Sequence, residues 1–279
     1  MSSEILINVT REEIRVGLLE GGQVVESYVE RKRDASLVGN IYKGKVIKIL
    51  PGMQSAFVDI GLEKAAFLYV ADIISDVEDY APFLEEEDKS NSIELFSKKG
   101  RQDLPIEELI QEGQEVLVQV SKDPMGSKGA RVTSYVTLPG RYLVLMPNLE
   151  HIGISRRIVN DDERTRLRSI VETIKPKGYG LIIRTASEGC TEEELRKDLE
   201  FLLLLWENIQ KKRDRVLAPC LLYSDLDLAF RSVRDLMSQD VERLVIDDDG
   251  EHERIRDFVK TYFFNDTATT EIYTDNEPI

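Results

Sequence analysis

Cysteine and histidine are scarce in this sequence. Two cysteines and two histidines stand among 279 residues, all well separated along the chain. This spacing matches neither a disulfide framework nor a zinc-binding pattern. We interpret His151 and His252 as surface residues, and the run Asp247, Asp248 and Asp249 as a solvated turn that begins a helix. No metal is expected to bind this chain, although the aspartate run could hold a divalent ion.

Long apolar runs are also missing. No segment approaches the roughly 18 to 20 apolar residues that a membrane-spanning helix needs, and the first residues lack the features of a secretion signal. A hydrophobic content of 42% and a charged content of 32% are typical of soluble globular proteins. We therefore expect no membrane span and a cytoplasmic location.

Basic residues are fewer than acidic ones, which gives the chain a net charge of −15. This value at first argues against a nucleic-acid partner. The deficit is concentrated, because residues 71–112 contain thirteen acidic and four basic residues. We interpret this segment as a solvated acidic insertion, with an acidic interaction segment as the alternative. The remaining surface can still carry basic patches.

Alternating apolar residues and turn signals predict many strands in the first half of the chain. Strands at 5–9, 15–19 and 23–30 include a hairpin turn at Gly21 and Gly22. Five later strands with one long insertion predict a small OB-type barrel. They lie at 41–50, 54–60, 65–69, 115–121 and 129–137, with a short helix at 105–110.

Helices and strands alternate in the second half. Helices are predicted at 161–174 and from Thr191 to about Arg215, where Thr191 and Glu194 form a capping box. Trp206 lies on the apolar face of the longer helix, so we interpret it as core. Strands are expected at 142–146 and 179–184.

The last unit begins at Pro219. Ser224 with Asp227 is expected to cap a helix through Met237, followed by a strand at 243–246 and a helix at 251–262. This unit could return to pack on the N-terminal hairpin. The threonine-rich tail, 264–279, is interpreted as a translated sequencing adapter, with a genuine short strand and loop as the alternative.

Two phenylalanines are the first candidate functional residues. A turn around Gly61 would place Phe57 directly opposite Phe67 on the outer face of the barrel. Paired rings of this kind form a platform on which bases stack, worth roughly 1–3 kcal/mol per base. The spacing equally allows ordinary packing beneath the acidic insertion.

Two further motifs suggest phosphate contacts. Lys128, between Gly126 and Gly129, offers a cation where backbone can approach closely, although an ordinary turn has the same sequence. Arg184 and Thr185 converge on a phosphate only if their strand ends there, and such a pair is usually structural.

The motifs together resemble the ribonuclease E/G family over about residues 4–263. The order of six stretches carries the resemblance. They are ILINV at 5–9, GNIYKGKV at 39–46, AFVDIG at 56–61, LPGRYLVLMP at 138–147, IGISRRI at 152–158 and GLIIRTA at 180–186.

The resemblance implies an α+β multidomain fold. A split ribonuclease-H-like domain would occupy residues 1–38 and 218–263. Between its parts would lie an OB-fold barrel of the ribosomal-protein-S-one type at 39–137 and an α/β 5′-sensor domain at 138–217. A catalytic domain, a zinc-linking cysteine pair and an oligomerisation domain would follow in the intact enzyme.

The resemblance also implies roles for particular residues. Phe57, Phe67 and Lys128 match RNA-contacting positions of the barrel. The matches to the pocket for a 5′-monophosphate are Gly140, Val144, Arg184 and Thr185. Arg156 and Arg157 match a basic pair near that pocket and are possible RNA contacts.

The family's catalytic chemistry lies outside these motifs. Its Mg²⁺-binding carboxylates and zinc cysteines fall beyond residue 263, so no catalytic residue is assigned here. We expect a fragment that binds single-stranded RNA and 5′-monophosphorylated ends, is inactive alone, and oligomerises only at full length. The intact endoribonuclease would act in rRNA maturation and mRNA decay. The alternatives are a stand-alone RNA-binding protein and a translation-factor-like OB module on the ribosome.

Overall fold

The computed structural model describes residues 3–32, 36–73, 105–237, 241–262 and 271–274, with backbone alone for 260–262 and 271–274. The expected acidic insertion and the tail therefore lie mostly outside the described residues. The chain forms two compact units, one of residues 1–36 with 226–279 and the other of residues 37–225. Among the helices that are described, none is both long and apolar enough to cross a membrane.

The described elements mix strands and helices throughout. The strands are β1 (Ser3–Val9), β2 (Glu13–Glu20), β3 (Gln23–Arg31), β4 (Ile41–Leu50), β5 (Ser55–Asp59), β6 (Ala66–Tyr69), β7 (Glu115–Lys122), β8 (Arg131–Thr133), β9 (Leu138–Pro139), β10 (Leu143–Met146), β11 (Ile152–Ile154), β12 (Gly180–Ile183), β13 (Cys220–Tyr223), β14 (Val241–Ile246) and β15 (Glu271–Thr274). The helices are α1 (Ile106–Leu109), α2 (Asp161–Ile174), α3 (Glu192–Arg215), α4 (Leu228–Leu236) and α5 (Asp249–Tyr262).

The first unit is a five-stranded sheet with two helices. Its order is β15-β14-β1-β2-β3, and β14 pairs parallel with β1. The predicted hairpin is confirmed, since Gly21 and Gly22 both have positive φ between β2 and β3. The predicted return of the last unit onto this hairpin is also confirmed. Buried residues of α4 and α5 form one core with Ile5, Ile7 and Ile14.

The expected cap of α4 needs a correction. Asp227 alone is the N-cap, and its carboxylate accepts from the Phe230 amide at 3.2 Å. Ser224 instead donates to the Asp225 carbonyl. Because Ser224 stands four positions before the first helical residue, its hydroxyl is too early to reach the free amides of the first turn.

The second unit contains a closed five-stranded barrel consistent with an OB-fold. Its order is β4-β5-β6-β8-β7, and β7 pairs back onto β4 to close it. Strands β6 and β8 are parallel, whereas the other neighbours are antiparallel. The predicted strand at 129–137 is shorter in the structure. The Thr133 and Ser134 hydroxyls donate to the Asp72 carbonyl, and there the chain leaves the barrel.

A four-stranded sheet with two helices completes the second unit. Its order is β11-β12-β10-β9, and α2 and α3 contribute to one core in which Trp206 is buried. The capping box of Thr191 and Glu194 is confirmed. Strand β13 was not predicted, and it pairs with β4 of the barrel. The first unit therefore resumes at Leu226, later than the boundary expected at residue 218.

Candidate nucleic-acid interface

Two phenylalanine rings face each other on neighbouring strands of the barrel. Phe57 on β5 is the register partner of Phe67 on β6, and the ring centroids lie 6.2 Å apart, edge to face. Their strand neighbours Ala56, Val58 and Leu68 are buried. Alternation along each strand therefore directs the rings to the outer surface, where both are half-buried. The expected pairing is confirmed, and contact with RNA stays a prediction.

Basic residues extend this pair of rings into a row across the barrel. The register partners on successive strands are Lys48, Phe57, Phe67, Arg131 and Lys122. Lys48 and Lys122 are exposed at the two ends of the row. Arg131 is held by Asp72, to whose carboxylate oxygens it donates at 2.8 and 3.0 Å. The row offers two stacking faces flanked by cations.

The charge of the barrel is nearly balanced in spite of the acidic chain. Its described residues, 36–73 and 105–137, contain seven Lys and Arg residues and eight Asp and Glu residues. Exposed charges are largely screened beyond about 8–10 Å at physiological salt. The exposed lysines at the ends of the row, Lys48 and Lys122, therefore matter more to a bound phosphate than the net charge of the whole chain.

Lys128 belongs to a tight turn between β7 and β8. The backbones of Met125 and Lys128 exchange two hydrogen bonds, with N–O distances of 3.1 and 3.0 Å. Lys64, from the β5–β6 connection, donates to the Gly126 carbonyl at 2.7 Å. The connection between the two strands bearing the rings thus meets the β7–β8 turn here. Lys128 is exposed, so it can reach a phosphate, although this contact stays a prediction.

Arg184 and Thr185 lie where β12 ends. The strand stops at Ile183, and a single helical turn at Thr185–Ser187 follows. The side chains of Arg184 and Thr185 can converge only if their strand ends there, and this end of the strand is confirmed. The Arg184 guanidinium is already oriented, because its Nη1 donates to the carbonyls of Gly140 at 2.6 Å and Arg141 at 3.2 Å.

Gly140 and Val144 lie beside this strand end. Gly140 is seated against Asp198, whose carboxylate oxygens would be 2.6 Å from a Cβ at that position. Val144 is buried on β10 opposite Ile182, two residues before Arg184. Gly140 therefore contacts Arg184 directly, and Val144 lies on the strand that pairs with β12, whereas a pocket formed by all four residues stays a prediction.

The Thr185 hydroxyl has a defined partner. It lies 2.9 Å from the hydroxyl of Ser155, which is buried. Arg156 and Arg157 follow Ser155 directly, and Arg157 donates its backbone amide to the Ser155 hydroxyl at 3.3 Å. Arg157 is exposed and Arg156 is half-buried. The basic pair therefore directly follows a residue, Ser155, that contacts Thr185 of the predicted pocket.

Other candidates have structural roles or need correction. Trp206 is core, as predicted. His151 and His252 are half-buried, not surface residues, and burial, then Arg168, lowers the pKa of His151. Asp248 accepts the Glu251 amide at 2.8 Å at the start of α5, which confirms the predicted helix N-terminus.

The residues do not form a metal site in the part of the chain that is described. No group of three or more His, Cys, Asp or Glu side chains converges there. Both cysteines are free thiols, and burial raises the pKa of Cys190 to about 11. No chemical step through Mg²⁺ or Zn²⁺ is assigned to these residues.

The sequence did not predict a role for Asp198 or Ser155. Asp198 accepts backbone amides of Arg141, Tyr142 and Leu143, and Ser155 contacts Thr185. A signal for Asp198 was available, because its position falls on the apolar face of α3 between Leu195 and Leu202. A carboxylate on such a face needs hydrogen-bond donors. Ser155 carries no comparable signal.

The sequence is similar to those of known proteins. Residues 137–279 match the sequence profile of the Ribonuclease E/G family. The chain is 42% identical to Ribonuclease G of Haemophilus influenzae over 99% of its own length and 54% of that protein. Ribonuclease G of Escherichia coli K12 is also 42% identical, over the whole chain and 54% of that protein.

A second group of relatives is more distant. Ribonuclease E of Haemophilus influenzae is 38% identical over 92% of this chain and 26% of its own length. The chain thus spans about half the length of the Ribonuclease G relatives. The profile match and the similarity along nearly the whole of this chain both show the family. This chain therefore belongs to the ribonuclease E/G family.

Proposed function

We propose that this chain is the RNA-binding and 5′-monophosphate-sensing portion of a single-strand-selective endoribonuclease of rRNA maturation and mRNA decay. The barrel binds the RNA chain, and the unit of β9–β12, α2 and α3 senses its 5′ end. The first unit is a ribonuclease-H-like domain. The intact enzyme is cytoplasmic and oligomeric, contains Zn²⁺, and hydrolyses phosphodiesters with Mg²⁺ through residues outside this chain.

The single observation that carries the proposal is the row of two opposed rings between basic residues. Every base has a face that stacks on an aromatic ring, so such a platform binds single strands with little sequence preference. A duplex keeps its bases stacked on each other and cannot use the rings. The flanking lysines supply the salt-dependent attraction to the backbone.

The pocket at Arg184 supports recognition of the 5′ end. A terminal monophosphate carries close to two negative charges and three non-bridging oxygens, whereas an internal phosphodiester carries one charge and two such oxygens. A guanidinium and a hydroxyl at one strand end therefore favour the terminal group. A 5′-hydroxyl offers Arg184 no anion.

Matched oligonucleotides that differ only at the 5′ end test the proposal. We expect the monophosphorylated RNA to bind more tightly than the hydroxyl form by roughly 1.5–3 kcal/mol, the scale of a charge-assisted hydrogen bond. Arg184→Ala should remove the difference and leave hydroxyl-end binding nearly intact. Arg184→Lys should restore part of it, because an ammonium cannot fork onto two oxygens. Equal wild-type affinities for both ends at one fixed salt concentration would reject the sensor.

A further inference from the structure

A buried carboxylate lies directly behind the residues of the 5′-end pocket. Asp198, on α3, is 8% exposed. Its Oδ1 accepts from the amide of Arg141 at 3.0 Å, and its Oδ2 accepts from Tyr142 at 2.9 Å and Leu143 at 2.8 Å. Three consecutive amides are thus satisfied by one side chain. The backbone at 141–143 consequently takes its position from the helix.

Glycine at position 140 leaves room for the Asp198 carboxylate to reach these amides. A Cβ there would lie 2.6 Å from both carboxylate oxygens of Asp198, closer than atoms can approach. The φ of Gly140 is not among the positive values of the chain. Space for the carboxylate, rather than backbone conformation, therefore explains why glycine fits at this position.

The same short segment orients the guanidinium of Arg184. The carbonyls of Gly140 and Arg141 accept from its Nη1 at 2.6 and 3.2 Å, and the Arg184 amide donates to the Tyr142 carbonyl at 2.8 Å. The amides of Arg141, Tyr142 and Leu143 thus face Asp198, while the carbonyls of Gly140 and Arg141 face the guanidinium. Displacement of the segment would therefore displace the guanidinium.

We propose that Asp198 is a positioning residue of the 5′-monophosphate pocket, which holds the 140–143 backbone so that its carbonyls aim Arg184. This inference rests on the proposed function. An ionised carboxylate suits the role because it accepts several hydrogen bonds and donates none. An amide of the same shape would turn a donor toward at least one of the three backbone amides. Asp198 itself does not contact the phosphate.

Asp198→Asn in the full chain tests the inference, with Glu207→Gln as the matched control. Glu207 is on the same helix, loses the same charge in the variant, and forms a surface ion pair with Lys211 at 2.7 Å. The measured quantity is the ratio of affinities for 5′-monophosphorylated and 5′-hydroxyl RNA. We expect Asp198→Asn to reduce a ratio of about ten-fold or more to within about two-fold of unity. Glu207→Gln should keep the wild-type ratio.

The affinity for hydroxyl-ended RNA separates positioning from general stabilisation. Affinity for the hydroxyl-ended RNA should stay unchanged in each variant, because the barrel provides it. A purely structural Asp198 would instead lower both affinities together as the melting temperature falls, and that result overturns the inference.

The remaining outcomes are also decisive. If the wild type discriminates between the ends and Asp198→Asn does so equally well, only this inference fails. If the wild type itself does not discriminate, the proposed sensor fails and the inference with it. Should Asp198→Asn not fold, Asp198→Glu, which keeps the charge but moves the carboxylate by one methylene, carries the same expectation and the same refutation.

Discussion

At the residue scale, the side chains of Phe57 and Phe67 allow the most direct test of RNA binding. We expect Phe57→Ala combined with Phe67→Ala to weaken single-stranded RNA binding by roughly 2–6 kcal/mol, because each ring stacks one base. Both rings are half-buried, so stability should fall by less than the about 3–5 kcal/mol of a core Phe→Ala change. Anisotropy titration and thermal unfolding measure the two quantities.

Phe201→Ala is the matched control for the rings. Phe201 is also half-buried, but it packs with the core that contains α3 and does not belong to the barrel. Its removal should cost stability without changing RNA affinity per folded molecule. The opposite pattern, with the double variant unstable but still binding normally when folded, would contradict the stacking platform.

Glu163 gives a second prediction at this scale. Arg166 donates to its carboxylate at 2.7 Å and the Gly189 amide does so at 2.8 Å, and together they lower its pKa from 4.5 to about 2. A depressed folded-state pKa means that the stabilisation is present above the ordinary pKa. It is lost as pH falls from about 4.5 toward 2.

We therefore expect Glu163→Gln to melt at a lower temperature than the wild type near neutral pH. The difference should shrink as the pH falls through that window, since protonation abolishes the same interactions in the wild type. Thermal unfolding at several pH values measures it. A difference that stays constant down to pH 2 would assign the effect to packing and not to charge.

At the element scale, closure of the barrel depends on Gly129. A Cβ there would lie 1.9 Å from the Ala65 carbonyl oxygen, and the next residue, Ala130, accepts the Phe67 amide at 2.7 Å. We expect Gly129→Ala to destabilise the chain by about 1–3 kcal/mol, the cost of overpacking, and to weaken RNA binding. Gly52→Ala, where a Cβ meets nothing within 4 Å, is the control. Equal unfolding free energies for the two variants would contradict the closure argument.

Local signals predicted some elements residue for residue. Strand β4 and helix α2 have the predicted bounds. Proline follows the strand directly, and the Asn160 side chain caps the helix. Strand β13 was missed because its partner, β4, lies about 180 residues earlier along the chain. Pairing over that distance leaves no local periodicity in a segment of four residues.

At the scale of the whole molecule, binding and cleavage should separate. We expect this chain to bind single-stranded RNA but not to cleave it in Mg²⁺, because the resemblance places the catalytic carboxylates beyond residue 263. Incubation of end-labelled RNA with Mg²⁺, and with a chelator as the blank, tests this. Full-length Ribonuclease G of Escherichia coli, a relative of which the chain covers 54%, serves as the active reference. Specific Mg²⁺-dependent cutting by pure chain would show that residues 1–279 hold an active site.

The sequence by itself determined the five strands of the barrel and the facing of Phe57 and Phe67, because strand alternation and turn position are local properties. It also determined that Trp206 is core. Only the tertiary structure decided that Asp198 seats the 140–143 backbone and that Ser155 contacts Thr185. Each of these contacts joins residues from different elements. Their partners are chosen by packing in three dimensions, which no spacing along the chain encodes.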